Sequence, residues 1–388
     1  MESAPGSATA ERRPARAASL AWPFLKLGTV AFGGPAAHLA LMEDEFVRRA
    51  GWLSREDFLD LVGAASLIPG PSSTEVAIYL GYRRAGWRGL VVAGCCFILP
   101  AALMVSAIAW AYVRFGRLPQ VGAILYGVKP VVVAIVLQAI VAFARTAIKT
   151  RVLLAVGVGC VVAALLGANP LAVLLAAGTL HAGATAARRA SRRSRPLVLL
   201  AAGGGAGAIP AAVHASLAKL FLIFLKTGAV VFGSGYVLLA FLRADFVERT
   251  HWLTGGQLLD AVAVGQITPG PVFTTATFIG YLVAGPAGAT VATIAIFLPS
   301  FALVAASGPL IPRLRSSPFA SSFLDGVNVA SLALMAVVTW HLARDAMTDA
   351  VTASLAAVAA LLLLRFRVGP VWLILGGAAV GLIARWLG

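Results

Sequence analysis

"IPGPSSTEVAIYLGY", Ile68 to Tyr82, lies in a run apolar enough for lipid, yet it sets Pro-Gly-Pro and then Ser-Ser-Thr-Glu where a membrane helix should be most regular. "ITPGPVFTTATFIGY", Ile267 to Tyr281, does the same in the second half of the chain. Two of the three amides of Pro-Gly-Pro are missing, so a helix ends there. In hydrocarbon every backbone N–H and C=O needs a partner, which confines such a break to a place against protein or a water-filled cavity. A single break would read as an ordinary proline kink. Two at corresponding positions ask for a common cause.

Working outward from the breaks, the chain is a duplication. "FLKLGTVAFGG" (Phe24–Gly34) returns as "FLKTGAVVFGS" (Phe224–Ser234), with seven of eleven residues shared. "EFVRRAGWLS" (Glu45–Ser54) returns as "DFVERTHWLT" (Asp245–Thr254), and Asp60 pairs with Asp260. After one deletion, "FILP" ending at Pro100 pairs with "IFLP" ending at Pro299.

The 388 residues are 60% hydrophobic and 12% charged, against roughly 45–50% and 25% in soluble domains. The fold class expected is an all-α polytopic membrane protein with two inverted-topology repeats, broken or re-entrant helices and about 13 apolar segments. The first half offers segments at 20–42, 57–80, 88–113, 120–144, 152–167 and 169–186. The second offers 217–242, 257–283, 288–308, 319–342, 350–364 and 368–387. Residues 1–19 read as a disordered cytoplasmic tail, 20–186 and 216–388 as the two repeats, and 187–215 as a basic linker with a short connecting segment at 197–213.

The net charge of +16 sits in short loops between apolar segments, the positive-inside pattern of an inner-membrane protein, and argues against nucleic acid as a partner. Arg83, Arg84 and Arg88 crowd the loop 82–89, whereas its counterpart 281–288 has no charge. Arg145, Lys149 and Arg151 face a counterpart with Arg344, Asp345 and Asp349; the chargeless loop near Ala168 faces Arg365 and Arg367. The halves are therefore expected to face opposite ways. Opposite facing requires an odd crossing between them, for which 197–213 is the candidate. Cys95, Cys96 and Cys160 lie in apolar runs, the five histidines show no ligand spacing, and no nucleophile–base pair stands out. No metal, cofactor or enzyme activity is expected.

The paired breaks match the broken helices that form a midplane transporter site. A helix N-terminus carries roughly +0.5 charge and binds anions. Two such ends, after Pro69, Gly70 and Pro71 and after Pro269, Gly270 and Pro271, with Ser72, Ser73, Thr74, Thr274 and Thr275 as donors, suit an oxyanion. The second pair of breaks, at Gly33 and Gly34 and at Gly233 and Ser234, offers further ends. Ser66 and Gln266, just before the Pro-Gly-Pro breaks, complete the candidate set. Lys26 and Lys226 either complete the charge for a dianion or snorkel to the interface. Glu75 either closes a capping box from Ser72 or serves proton coupling. Asp60 and Asp260 read as caps or pairs, and Trp52 and Trp252 as interface anchors.

"FGGP", "WLS", "PGPSSTEVAIYLGYRRAGW", "CCFILPA" and "TPGPVFTTATFIGYLVAG" resemble the bacterial chromate ion transporter family in its two-domain form, over almost the whole chain beyond the tail. The resemblance implies an inner-membrane exporter of chromate that confers chromate resistance, with sulfate as a competing anion and about thirteen segments in antiparallel halves. Partners on this reading are chromate or sulfate, the lipid bilayer and, as an option, a second copy of the chain.

Overall fold

The computed structural model describes residues 17–116, 118–190, 216–232, 235–366 and 368–387. The connecting segment at 197–213 and the tail, apart from 17–19, lie outside the described residues. Every regular element among them is helical: α1 (Ala17–Val30), α2 (Gly34–Met42), α3 (Arg55–Ala65), α4 (Ser72–Phe115), α5 (Pro119–Ala147), α6 (Arg151–Leu165) and α7 (Pro170–Ala190) in the first half. The second half holds α8 (Leu217–Val230), α9 (Leu238–Leu242), α10 (Gly255–Ile267), α11 (Thr275–Ser316), α12 (Pro318–Ala346), α13 (Ala350–Arg365) and α14 (Pro370–Leu387). Stretches in α4, α5, α7, α11 and α12 are long and apolar enough to cross a membrane.

The first two apolar segments of each half fold back. α1 has 14 residues, about 21 Å of rise, against about 30 Å of hydrocarbon. After the break at 31–33 the chain returns alongside it. The Phe24 and Phe46 rings lie 4.9 Å apart, and Lys26 pairs with Glu45 at 3.0 Å. The second half repeats this with Phe224 and Phe246 at 5.0 Å and Lys226 on Asp245. α3, the Pro-Gly-Pro break and the first arm of α4 form another hairpin. Asp57, at its entry, meets Arg83, at its exit, at 3.4 Å, and the Arg84 guanidinium lies 5.3 Å over the Trp52 ring. In the second half Gly265 lies against Thr275, across the break at Pro269–Pro271.

α4 and α11 each contain a reversal. Ala85 and Gly86 leave the helical region at φ/ψ of −143°/26° and 59°/−144°; Ala284 and Gly285 do so at −146°/27° and 62°/−152°. That glycine conformation is closed to residues with a Cβ. The two arms then pack so tightly that a Cβ on Gly81 would strike the Gly89 carbonyl, and one on Gly280 the Gly288 carbonyl. A short arm thus leads from each Pro-Gly-Pro tip to a turn, and a long arm leads back.

The long arm of α11 passes Gly70 at Ser300 and, two helical turns later, bonds Tyr79 through Ser307. It therefore runs toward the Gly86 turn, which puts the Gly86 and Gly285 turns at opposite ends of the molecule. The halves also interlock through small residues, with Gly127 of α5 against Gly377 and Gly381 of α14 and Gly326 of α12 against Ala177 and Gly178 of α7. Such spacing allows membrane helices to approach backbone to backbone.

Candidate functional site

The four hairpin tips meet at the centre, and backbone bonds between the halves join them. The Gly70 N–H donates to the Val231 carbonyl at 2.8 Å, and the Gly270 N–H donates to the Ala31 carbonyl at 2.9 Å. Each Pro-Gly-Pro tip of one half is thus clasped to the other half's first tip. Around the first clasp, Gly70 has φ of +139°, and its bare face lies against the Glu75 carboxyl and the Ser300 hydroxyl. Glu75 and Ser300 are fully buried. The Ser300 hydroxyl faces the Glu75 carboxyl as its hydrogen-bonding neighbour, and Thr74 Oγ1 and Gln266 Nε2 have no hydrogen-bond partner among the described residues. Unsatisfied buried polar atoms are few in folded proteins, and each asks for an explanation. Thr74, Glu75, Gln266 and Ser300 lie on the segments that form or follow the tips, while others, at Arg84, His181, Trp252, Ser331 and His341, lie elsewhere.

The second clasp carries His38. Its Nε2 lies 3.1 Å from the Ala31 carbonyl, its Nδ1 lies 3.1 Å from Ser73 Oγ, and its ring meets Phe97 edge-on at 5.7 Å. A carbonyl only accepts, so Nε2 holds the ring proton. In the neutral ring Nδ1 then accepts the Ser73 hydroxyl proton.

Several expected contacts fall elsewhere. Lys26 and Lys226 are each committed to a carboxylate, Glu45 and Asp245, so neither is a spare cation for the tips. Lys226 also lines a cavity of about 440 Å³ with Arg243, Asp245, Glu248 and Arg249, at the base of its hairpin. The Thr274 and Thr275 hydroxyls donate to the carbonyls of Pro271 and Val272, both at 2.8 Å. Ser66 is exposed and its hydroxyl bonds Val62 O at 2.9 Å. The Ser72–Glu75 capping box does not form, because Pro71 is the N-cap and no side chain caps the helix. Gly70 and Gly270 hold the tips together through their amides instead of presenting them to a ligand. Trp52, expected as an interface anchor, stacks on Phe46 at 4.4 Å.

Other candidates stay at the tips. Gly33 and Gly34 form the first tip at φ of +101° and +77°. Pro69 and Pro71 flank Gly70, and Pro269 and Pro271 flank Gly270. Ser72, half-buried, opens α4, and the Gln266 carbonyl oxygen accepts from the Tyr236 hydroxyl at 3.0 Å. Gly233 and Ser234 lie outside the described residues.

Sequence reasoning missed His38, Tyr236 and Ser300. These are positions where the duplicates differ. His38 corresponds to Leu238, Tyr236 to Ala36, Glu75 to Thr275 and, after the deletion, Ser300 to Ala101.

The family described as "Chromate transporter" matches residues 18–182 and 218–382. The chain is similar to the chromate transport protein of Cupriavidus metallidurans, 35% identical over 366 residues that cover 93% of this chain and 91% of that protein. It is similar to the probable chromate transport protein of Synechococcus elongatus, 35% identical over 84% of each chain. To the chromate transport protein of Pseudomonas aeruginosa it is 33% identical, over 83% of this chain and 80% of that one. No solved structure matches the chain.

Proposed function

The chain belongs to the chromate transporter family, and from that premise we propose that it exports chromate across a bacterial inner membrane by alternating access, conferring chromate resistance. Its machinery is taken as the repeats 20–186 and 216–388, joined by the linker 187–215. The observation that carries the reading is the meeting of the tips around the buried polar groups of Glu75, Ser300 and Thr74.

At the start of α4 the amides of Ser72 and Ser73 have no intrahelical partner, as at any helix start, and the helix dipole favours an anion there. The Thr74 and Ser300 hydroxyls and the Gln266 amide supply uncharged donors. No lysine or arginine is among the partners of the tips described above. A carboxylate at Glu75 would repel a dianion unless protonated, which makes Glu75 the candidate for proton coupling, with export driven by the membrane potential, by proton exchange or by both.

Moving one charge through 100 mV is worth about 2.3 kcal/mol, so a bare dianion leaving an inside-negative cell gains about 4.6 kcal/mol. With one proton alongside, about 2.3 kcal/mol remains, near a fifty-fold concentration ratio. Export can thus run on the potential. In proteoliposomes with an imposed potential, labelled chromate is expected to move toward the positive side and to reverse with the sign. Pairing Thr74→Val with Ser300→Ala is expected to weaken chromate binding by about 5- to 150-fold per lost donor. Flux indifferent to the potential would rule out this energetics.

The inverted arrangement is proposed from the Arg83, Arg84 and Arg88 loop and its chargeless twin, and the opposed turns at Gly86 and Gly285 support it. A cysteine near Gly86, in the same loop, is expected to resist external impermeant thiol reagents, and one near Gly285 to react. Reaction of both from one side excludes the arrangement.

A further inference from the structure

Export by alternating access needs a contact that parts on the outer side while the inner side stays shut. Glu75 and Ser300, at the centre, are fully buried, so in this structure both sides are closed around them. The two long arms show what closes each side. That of α11 passes Gly70 at Ser300 and then bonds Tyr79 through Ser307, toward the Gly86 turn. That of α4 passes Gly270 at Ala101 and runs the other way. About three helical turns on, its Tyr112 hydroxyl donates to Asp260 Oδ2 at 2.9 Å. The Tyr112 ring also meets Phe278 at 5.3 Å, and Phe278 is the counterpart of Tyr79 after the deletion. Each long arm is thus fastened to the other half beyond the tips, once toward each end of the molecule.

The two fastenings differ in chemistry. Tyr79 and Ser307 join two buried hydroxyls. Asp260 is a buried acid, and the Lys129 ammonium of α5 lies 3.3 Å from its other oxygen, Oδ1. An ionisable group at membrane depth is a candidate for function by default. Resting on the alternating access and the topology proposed above, we propose that Tyr112, Asp260 and Lys129 form the outer gate, which a proton from outside opens by landing on Asp260.

As a carboxylate, Asp260 holds the Lys129 ammonium by charge and accepts from Tyr112 in a charge-assisted bond. Once protonated it has no charge to hold the ammonium, and it accepts from Tyr112 about half as strongly. α5 and the long arm of α4 are then loosened from α10. The proton returns outside when the gate recloses, so it sets the pH dependence of release without entering the stoichiometry. The inner fastening offers no carboxylate to a proton.

The groups facing Asp260 are the Lys129 ammonium from α5 and the Tyr112 hydroxyl from α4. Nearer the outer edge, at the start of α10, Asp345 of α12 lies against Gly255 and pairs with Arg243 at 3.5 Å.

The test is efflux of labelled chromate from right-side-out inner-membrane vesicles carrying the full chain, with potential and internal pH fixed and external pH varied. Wild-type efflux is expected to rise as external pH falls, by up to about tenfold per unit, the limit for one proton. Asp260→Asn, which keeps an acceptor for Tyr112 without the charge, is expected to lose that dependence and stay within about twofold across the series. The double variant Lys129→Met with Asp260→Asn also removes the unpaired ammonium and is expected to be equally flat, so the result does not hang on the single variant folding. Asp260→Glu should restore the slope. Tyr79→Phe, which unfastens the inner side, should change the rate and keep the slope. A packing defect alone would lower efflux without flattening it. A wild-type slope in both asparagine variants would put the proton elsewhere, Glu75 included, and overturn the proposal. So would wild-type efflux indifferent to external pH. Vesicles in which the wild type moves no chromate at any pH would instead overturn the transport reading, and the gate with it.

Discussion

Gly70→Ala is expected to reduce chromate transport by at least about 100-fold in protein that still inserts. Gly70 has φ of +139°, a backbone conformation that costs a residue with a Cβ about 1–3 kcal/mol. The new methyl would also drive into the Glu75 carboxyl and the Ser300 hydroxyl. Relief requires the tip to withdraw, which stretches the Gly70–Val231 bond and moves the donors off the anion. Misplacement of reacting or binding groups by about 1 Å commonly costs about 100-fold. Gly34→Ala is the control, since Gly34 also has positive φ, +77°, yet a Cβ there meets nothing within 4 Å. Flux per folded molecule in proteoliposomes should separate the two, and equal losses would show that strain alone, without the clash at Glu75, is responsible.

Lys129→Met is expected to destabilise the protein by about 3 kcal/mol, and the double change with Asp260→Asn to recover most of that. Asp260 is 3% exposed. It is held by Lys129 at 3.3 Å and by the Tyr112 hydroxyl at 2.9 Å. Removing one partner of a buried pair leaves an uncompensated charge, at about 3–5 kcal/mol; Lys129 keeps some solvent contact, so the lower figure applies. Asparagine still accepts from Tyr112 without the charge. The measurement is thermal unfolding of purified protein in detergent as a double-mutant cycle, and purely additive losses would contradict the pairing. In the other half Lys129 corresponds to Asn328 and Asp60, unlike Asp260, is exposed.

The duplication, the membrane class and the four breaks were legible because each rests on local sequence. Composition, apolar run length and proline chemistry need no knowledge of what lies across the fold. The site was only half legible. Fold-back of the first segments pairs Lys26 with Glu45 and Lys226 with Asp245, which takes away cations that position alone assigned to the anion. Thr274 and Thr275 carry the right chemistry, but their hydroxyls sit within reach of their own helix's carbonyls, a common competition for hydroxyls in a first turn. His38 reaches Ser73 across 35 residues, and Ser300 reaches Gly70 from the other half, so no window along the sequence contains either pair. Comparison of the halves shows that they depart at His38, Glu75, Tyr236 and Ser300, as they also do at many scaffold positions, so the two copies alone would not single these residues out.

The reciprocal bonds between the tips also bear on why the protein is one covalent chain. Gly70 needs an acceptor on residue 231, and residue 31 needs a donor on Gly270. A lone half would end in two tips with nothing to grip, and would have to find a twin. Twins are identical, so every group at the centre would occur in duplicate: two carboxyls facing two alanines, with no hydroxyl from position 300 to answer either. Joining the copies end to end frees each to specialise. One half keeps the acid and the imidazole while the other contributes the alcohol and the amide, a division of labour that no symmetric pair can sustain.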